Sequence, residues 1–338
     1  MSMNLNAFDY NLPNSAIAQE PLPVRTDSRL LVDIENQIQH SKISDFPEII
    51  KTGDLIVMNN TRVLPARFYA HKSTGGKVEI LLLEENKEED QWDALVKPSR
   101  KVEPGTIFKF GEDLEIEVGD DLGEGLRKVR LNVKGEFIQT LEKHGEMPLP
   151  PYIKTKLEDK DRYQTVYSKK AKSAAAPTAG LHITKELLDR CIEKGAKIEF
   201  VELVVGLDTF RPINSENIED HKMHSEFYKV PETVIKACAE AKRVIAVGTT
   251  TVRALETAAL GRLEGRTDIF IKRPFDFKIV DLLLTNFHLP KSTLLIMLDA
   301  FLGERWQALY EEALYENYRF LSFGDAMLVQ REFLGNYG

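Results

Sequence analysis

The chain has 338 residues, 43% of them hydrophobic, and a formal net charge of -8 at pH 7. That length suggests two domains, and the acidic balance excludes a nucleic-acid binder held by bulk charge, though not one with a local basic patch. Two cysteines, Cys191 and Cys238, make neither a disulfide framework nor a thiolate metal centre and suit a reducing compartment. Met1–Tyr10 lacks the charged and apolar regions of a signal peptide. The longest apolar run, near Leu294–Leu302, is broken by Asp299 and falls well short of the ~20 residues that span a bilayer. A soluble cytoplasmic protein is expected.

In chain order, Asp54–Met58 is a continuous apolar run of the kind that forms a strand buried on both faces. From about Ala66 to Gly145 the texture changes to period-2 alternation. Val78, Ile80 and Leu82 share one face; so do Leu114, Ile116 and Val118, and then Val129, Leu131 and Val133. Trp92–Val96 and Thr106–Phe110 add two further strands. The joints are Thr74-Gly-Gly, the acidic Glu84–Asp90 turn, Pro104-Gly105 and Gly119-Asp-Asp. Such spacing predicts a small antiparallel barrel or sandwich.

Pro148-Leu-Pro-Pro151 is a stiff return joint, since proline fixes φ and restricts its predecessor. Beyond it α/β texture resumes. Thr184 caps a helix over Lys185–Lys194 that Gly195 stops. Pro231 opens Glu232–Lys242, Val244–Val247 is a buried strand, Ile279–Leu284 another, and Ser292 caps Thr293–Leu302, with Glu304–Tyr318 following. The fold class is therefore α/β: a discontinuous α/β domain, residues 1–65 and 153–338, carrying an inserted small antiparallel β-barrel domain, residues 66–152.

Four stretches carry candidate chemistry. Ser173–Thr184 brings four small residues to Pro177, then Thr178, Gly180 and His182 at alternate positions. Small residues and glycine let a ligand approach the backbone; the plain alternative is a tight turn with a core histidine. Gly248-Thr-Thr-Thr251 follows a strand and opens a helix, an arrangement suited to anions, with Arg253 able to clamp a carboxylate. Thr285-Asn-Phe-His-Leu-Pro290 closes an apolar strand at the end where α/β sheets place ligands. His221-Lys-Met-His224 invites a metal reading, but no further ligands stand at recognised spacing. For RNA, Lys154–Lys172 holds seven Lys/Arg and three Asp/Glu, interleaved with Tyr163 and Tyr167 for base stacking. Lys97-Pro-Ser-Arg100-Lys101 is a second basic patch.

Taken together, long stretches in one order resemble the S-adenosylmethionine:tRNA ribosyltransferase-isomerase family of queuosine biosynthesis. They include Phe8-Asp-Tyr-Asn-Leu-Pro, Ile17-Ala-Gln-Glu-Pro, Asp27-Ser-Arg-Leu-Leu31, the run Gly53–Arg67, Gly145–Ile153 and Asp161–Tyr167. They continue with Ala176–His182, His221–Glu226, Ala246–Glu256, Leu284–Leu295 and Gly324–Leu328. Three places depart from the family pattern: Ile183 where Phe is usual, Asp208 where Gly is usual, and Lys172–Ala176 before Pro177.

The resemblance implies an α/β domain with an inserted β-barrel. It implies transfer and isomerisation of the ribosyl unit of S-adenosylmethionine onto 7-aminomethyl-7-deazaguanine at the tRNA wobble position, with epoxyqueuosine, adenine and methionine as products. S-adenosylmethionine is then a consumed co-substrate and no metal is needed. This chemistry requires proton transfer, for which His182 and His288 are candidates, with Asp325 a carboxylate alternative and Thr178 and Gly180 lining the pocket. Gly248, Thr249, Thr250 and Arg253 are expected to hold the methionine carboxylate, and Tyr152 and Phe287 to stack on adenine. Lys97, Arg100, Lys101, Arg162, Lys169, Lys170 and Lys172 are expected on tRNA, and the protein is expected to be a monomer. The rival readings are a non-catalytic tRNA-binding protein and a metal-dependent hydrolase using His221 and His224.

Overall fold

The computed structural model describes residues 4–86, 90–206, 213, 215, 217–223 and 225–332, with the backbone alone at 170–172. The chain first forms β1 (Arg29–Ile34), β2 (Gln37–Lys42), the short helix α1 (Phe46–Ile49), β3 (Asp54–Asn59) and β4 (Thr61–Val63). Next come β5 (Arg67–His71), β6 (Lys77–Glu85), β7 (Gln91–Lys97), β8 (Thr106–Phe110), β9 (Leu114–Gly123), β10 (Leu126–Val133) and α2 (Phe137–His144). The remainder alternates through β11 (Lys170–Ser173), α3 (Lys185–Glu193), β12 (Lys197–Leu203), β13 (Glu226–Lys229), α4 (Glu232–Glu240), β14 (Arg243–Val247) and α5 (Thr249–Ala258). It ends with β15 (Glu264–Thr267), β16 (Leu282–Asn286), α6 (Thr293–Leu302), α7 (Arg305–Tyr315) and β17 (Ala326–Gln330).

Nine strands make one sheet in the order β15-β13-β12-β3-β14-β16-β17-β1-β2. Its central strands β12, β3, β14 and β16 run parallel. Because side chains alternate across a strand, their apolar runs feed two cores. Leu55, Val57, Val244, Ala246 and Leu283 face the helices α4 to α7, whereas Ile56, Met58, Ile245, Val247 and Leu284 face α1 and α3. Runs that are apolar at every position are what two covered faces demand.

The period-2 block folds as expected. Its six antiparallel strands lie in the order β5-β6-β7-β10-β9-β8. The two edge strands approach each other, and the rings of Phe68 on β5 and Phe110 on β8 lie 5.3 Å apart. The inward residues read from the sequence, from Val78 to Leu131, form its core, which Leu141 of α2 completes.

Two boundaries and one pair of side chains differ from expectation. Ile279 and Val280 do not begin a strand, because their N–H groups go to the Glu256 carboxylate instead; β16 starts at Leu282. Helix α4 stops at Glu240, and Lys242 N–H turns to the carbonyl of Gly53. Tyr163 and Tyr167, expected to stack on bases, are buried: Tyr163 meets Phe323 edge-on at 5.9 Å and Tyr167 meets Phe200 at 5.6 Å.

The return joint packs on the α/β body. Met147 and Ile153 share a core with Val63, Tyr163, Ala176, Leu181 and Phe323. Gly145 enters this joint where a Cβ would overlap the carbonyl oxygens of Pro65 and Leu141. Gly145→Ala is therefore expected to destabilise the protein by about 1–3 kcal/mol, the usual cost of overpacking. Urea unfolding measures this, and an unchanged midpoint would contradict the packing.

Candidate active site

The carboxyl ends of four parallel strands converge. Asn59 closes β3 and ties it to its neighbours. Its Oδ1 accepts from the N–H groups of Thr61 and Leu203, at 3.2 Å each. Its Nδ2 donates to Leu203 O at 2.9 Å and to Thr250 Oγ1 at 3.3 Å. After β14 the chain passes through Gly248 at φ 87°, a left-handed geometry that glycine adopts freely, and α5 begins at Thr249. Asn286 ends β16, and Phe287 and His288 follow it. This is the crevice where open α/β sheets take ligands.

Two cavities meet there, sharing Thr249, Thr250 and Leu294. The smaller is lined by Tyr152, Thr178, Gly248, Asn286, His288 and Ser322, among others. The larger, about 410 Å³, lies between the barrel and the α/β body, with Leu95 and Leu126 on one wall and Arg253, Phe270 and Met297 on the other. Four of the expected ligand contacts, Gly248, Thr249, Thr250 and Arg253, thus face a cavity. So do Tyr152, whose hydroxyl is 2.7 Å from Ser322 Oγ, Thr178 and His288.

Arg253 is 5% exposed. Its Nη1 donates to Glu226 Oε2, whereas its buried Nε and Nη2 have no partner among the described residues. Burial pushes its pKa down to about 10, which leaves it charged at neutral pH. A buried guanidinium with unmet donors is costly, and a bidentate carboxylate meets such a demand.

Asn286 organises the smaller cavity from behind. Thr178 Oγ1 donates to its Oδ1 at 2.9 Å, and its Nδ2 faces the Asp325 carbonyl at 3.3 Å and His182 Nε2 at 3.1 Å. A carbonyl oxygen only accepts, so the NH₂ end of Asn286 points this way and His182 Nε2 is the acceptor. His182 therefore carries its proton on Nδ1. Burial, then the charges of Arg25 and Arg319, push the His182 pKa down to about 4.

Several expected roles change with these positions. His182 lines neither cavity; it holds Asn286. Asp325 also stands behind the wall: its carboxylate accepts from Arg29 N–H at 2.9 Å and Arg319 N–H at 2.8 Å, and burial raises its pKa. Phe287 borders the smaller cavity, but its ring is fully buried and stacks on Phe320 at 4.7 Å. Gly180 makes room for Tyr167, not for a ligand. Arg162 is spent on the carbonyls of Leu22 and Pro23. Lys97, Arg100 and Lys101 are exposed on the barrel around a shallow depression. Lys169 is exposed, with its ammonium 5.9 Å from the Phe200 ring centre. The side chains of Lys170 and Lys172 lie outside the described residues, as do His224 and Asp208. His221 lines the larger cavity and meets Phe270 edge-on at 5.5 Å. Among the described residues, no three or more of His, Cys, Asp and Glu are grouped to hold a metal ion.

Sequence reasoning gave no role to Asn286 or Glu226. Asn286 sits inside a stretch singled out for its histidine. Glu226 lies 27 positions from the arginine it pairs with, a distance no local pattern bridges.

His288 is a neutral imidazole as well. Burial pushes its pKa down to about 3, and its Nε2 is 3.1 Å from Thr285 Oγ1. Both histidines have folded pKa values below the usual 6.5. The unfolded chain then binds protons more readily between the two values, so stability falls as pH drops from about 6.5 towards 4. In melting curves from pH 7.5 to 4.5, His182→Gln is expected to flatten this slope. Identical slopes would contradict the buried neutral histidine.

Comparisons with known proteins agree with this architecture. The family model described as "Queuosine biosynthesis protein" matches residues 5–329. An S-adenosylmethionine:tRNA ribosyltransferase-isomerase of Natranaerobius thermophilus is 48% identical over 342 residues, covering 97% of this chain and all of that one. A crystal structure of an S-adenosylmethionine tRNA ribosyltransferase from Thermotoga maritima is 37% identical, with a TM-score of 0.54, over 96% of this chain and 99% of that one. With its α/β body, inserted barrel and near-complete match, this chain belongs to the queuosine biosynthesis protein family.

Proposed function

We propose that this protein transfers and isomerises the ribosyl moiety of S-adenosylmethionine onto 7-aminomethyl-7-deazaguanine at the tRNA wobble position. Adenine and methionine leave, and epoxyqueuosine remains on the tRNA. In a chain of this family, the observation that carries the reading is Arg253, a buried guanidinium with two unmet donor atoms in a cavity that opens to a second, polar one.

The residues suit the steps. Arg253 receives the methionine carboxylate, and apolar neighbours such as Leu294 and Met297 receive the thioether chain. The reacting carbons then lie towards Thr249 and Thr250, where the cavities join. His288 is assigned to proton transfer, as the imidazole that lines the smaller cavity. Its low pKa is less of an obstacle than in water, because the same burial lowers the pKa of an entering ammonium. Asn286 and Thr178 offer an amide and a hydroxyl to the ribose or adenine, with His182 and Asp325 as positioning residues behind them.

The tRNA meets the exposed cations on the barrel, Lys97, Arg100 and Lys101, together with Lys169. An anticodon loop is single-stranded, so its wobble base can be splayed into the crevice. A tRNA substrate places the reaction in the cytoplasm. Residues 66–152 act as the inserted unit and residues 1–65 and 153–338 as the catalytic body. No helix among the described residues is long and apolar enough to cross a membrane.

The experiment is incubation with S-adenosylmethionine and tRNA carrying the aminomethyl base, following adenine, methionine and modified tRNA together. All three are expected in equal amounts, and His288→Ala is expected to slow turnover by about 10²-fold with unchanged melting. S-adenosylhomocysteine with methylated tRNA would overturn the reading. For the RNA surface, Lys97→Glu with Lys101→Glu is expected to weaken tRNA binding and reduce its salt dependence, since fewer counterions are released. Unchanged affinity and salt slope would remove this patch from the interface.

A further inference from the structure

The larger cavity is not electrically neutral. Among the described residues its lining includes four carboxylates, Glu84, Asp93, Glu124 and Glu226, against two guanidiniums, Arg253 and Arg266. Each guanidinium is already matched: Arg253 pairs with Glu226, and Arg266 pairs with Glu84. Asp93 and Glu124 are left over, both supplied by the barrel.

The arrangement around Asp93 is the informative part. Glu84 on β6 and Asp93 on β7 are direct cross-strand partners, and like charges in that relation repel. Arg266 relieves Glu84 from the α/β side. Among the described residues, Asp93 receives a neutral donor, Asn86 Nδ2 at 3.1 Å. Lys128 stands opposite Asp93 on β10 but is exposed, and no ion pair of 4 Å or less joins them among the described residues. Among the described residues, the barrel thus keeps a carboxylate on the cavity wall with no cation paired to it. The opposite wall carries the buried, unmet donors of Arg253. One wall calls for an anion and the other for a cation, with apolar side chains between them.

We infer that the barrel is one wall of the S-adenosylmethionine site and that its carboxylates, Asp93 foremost, recognise the positive charge of the sulfonium. This rests on the function proposed above and deepens it. S-adenosylmethionine carries a carboxylate at one end of a short aliphatic chain and a fixed cation two methylenes beyond the α-carbon. Methionine, the product, keeps the carboxylate and loses the sulfonium charge. A cavity with surplus negative charge holds the donor more tightly than the product and so favours release after transfer. The rival cations are the α-ammonium of the donor, which S-adenosylhomocysteine shares so that its loss would weaken both ligands alike, and the aminomethyl group of the RNA base. A carboxylate beside an ammonium stabilises its proton, which opposes nucleophilic attack by the amine, so the sulfonium is the better occupant.

The test compares binding of S-adenosylmethionine and S-adenosylhomocysteine, which differ in the methyl group and the charge, by calorimetry on the whole protein. Wild type is expected to prefer S-adenosylmethionine. Asp93→Asn, nearly isosteric, is expected to lower that preference about fivefold or more, the scale of one removed charge at the cavity wall, with S-adenosylhomocysteine affinity unchanged. Glu124→Gln, on an exposed turn, is expected to act in the same direction more weakly. Arg253→Met is expected to weaken both ligands equally. If Arg253→Met weakens both but Asp93→Asn and Glu124→Gln leave the ratio intact, the sulfonium assignment fails and the functional reading stands. If wild type binds neither ligand, both fail. If Asp93→Asn instead weakens only tRNA bearing the aminomethyl base relative to unmodified tRNA, the carboxylate serves the ammonium and the inference is overturned.

Discussion

Parallel pairing of β12, β3, β14 and β16 is the constraint on which the rest depends. It sends four strand ends to one edge of the sheet, where backbone hydrogen bonding stops and side chains must close the ends. Asn59 does so between β3, β12 and the start of α5, using both ends of its amide. Asn286 does the same between β16, the Thr178–His182 turn and the segment before β17. Two amides therefore fix the geometry of the crevice. The histidines and carboxylates nearby are largely engaged in holding it.

The site divides its electrostatics accordingly. Towards the smaller cavity the titratable groups are neutral or capped: His182 and His288 are pushed down by burial, and Asp325 is occupied by two backbone N–H groups. Towards the larger cavity Arg253 and Glu226 form a buried ion pair. Removing either partner of such a pair leaves an uncompensated buried charge. Glu226 consequently belongs to the site as much as Arg253 does, although it also accepts from Gly206 N–H at 3.0 Å and so helps shape the loop after β12.

Period decided what was legible in the sequence. The barrel strands show alternation because one face is dry and the other wet, and α3 and α6 announce themselves through Thr184 and Ser292, whose side chains accept from Leu187 and Leu295 N–H. β1 and β12 escape the sequence pattern: β1 pairs with β17 across nearly the whole chain and β12 with β3, and no local signal records a long-range partner. The segments that border the crevice are legible as segments, but exposure within each segment is not. Thr178 and His182 both reach Asn286, but Thr178 also lines the cavity and His182, four residues on, does not. A 3-10 turn over Thr178–His182 rotates alternate residues to different sides, and only tertiary contacts say which side is wet. Tyr163 and Tyr167 show the same limit, since a basic segment with aromatics does not reveal that the rings turn inward.

The most direct measurement is a crystal structure of the protein with S-adenosylmethionine bound. The methionine carboxylate is expected within hydrogen-bond distance of Arg253 Nε and Nη2, the sulfonium facing the barrel wall near Asp93, and the nucleoside passing Thr249 and Thr250 towards Asn286 and His288. A ligand held elsewhere, or one whose carboxylate leaves Arg253 untouched, would contradict this arrangement.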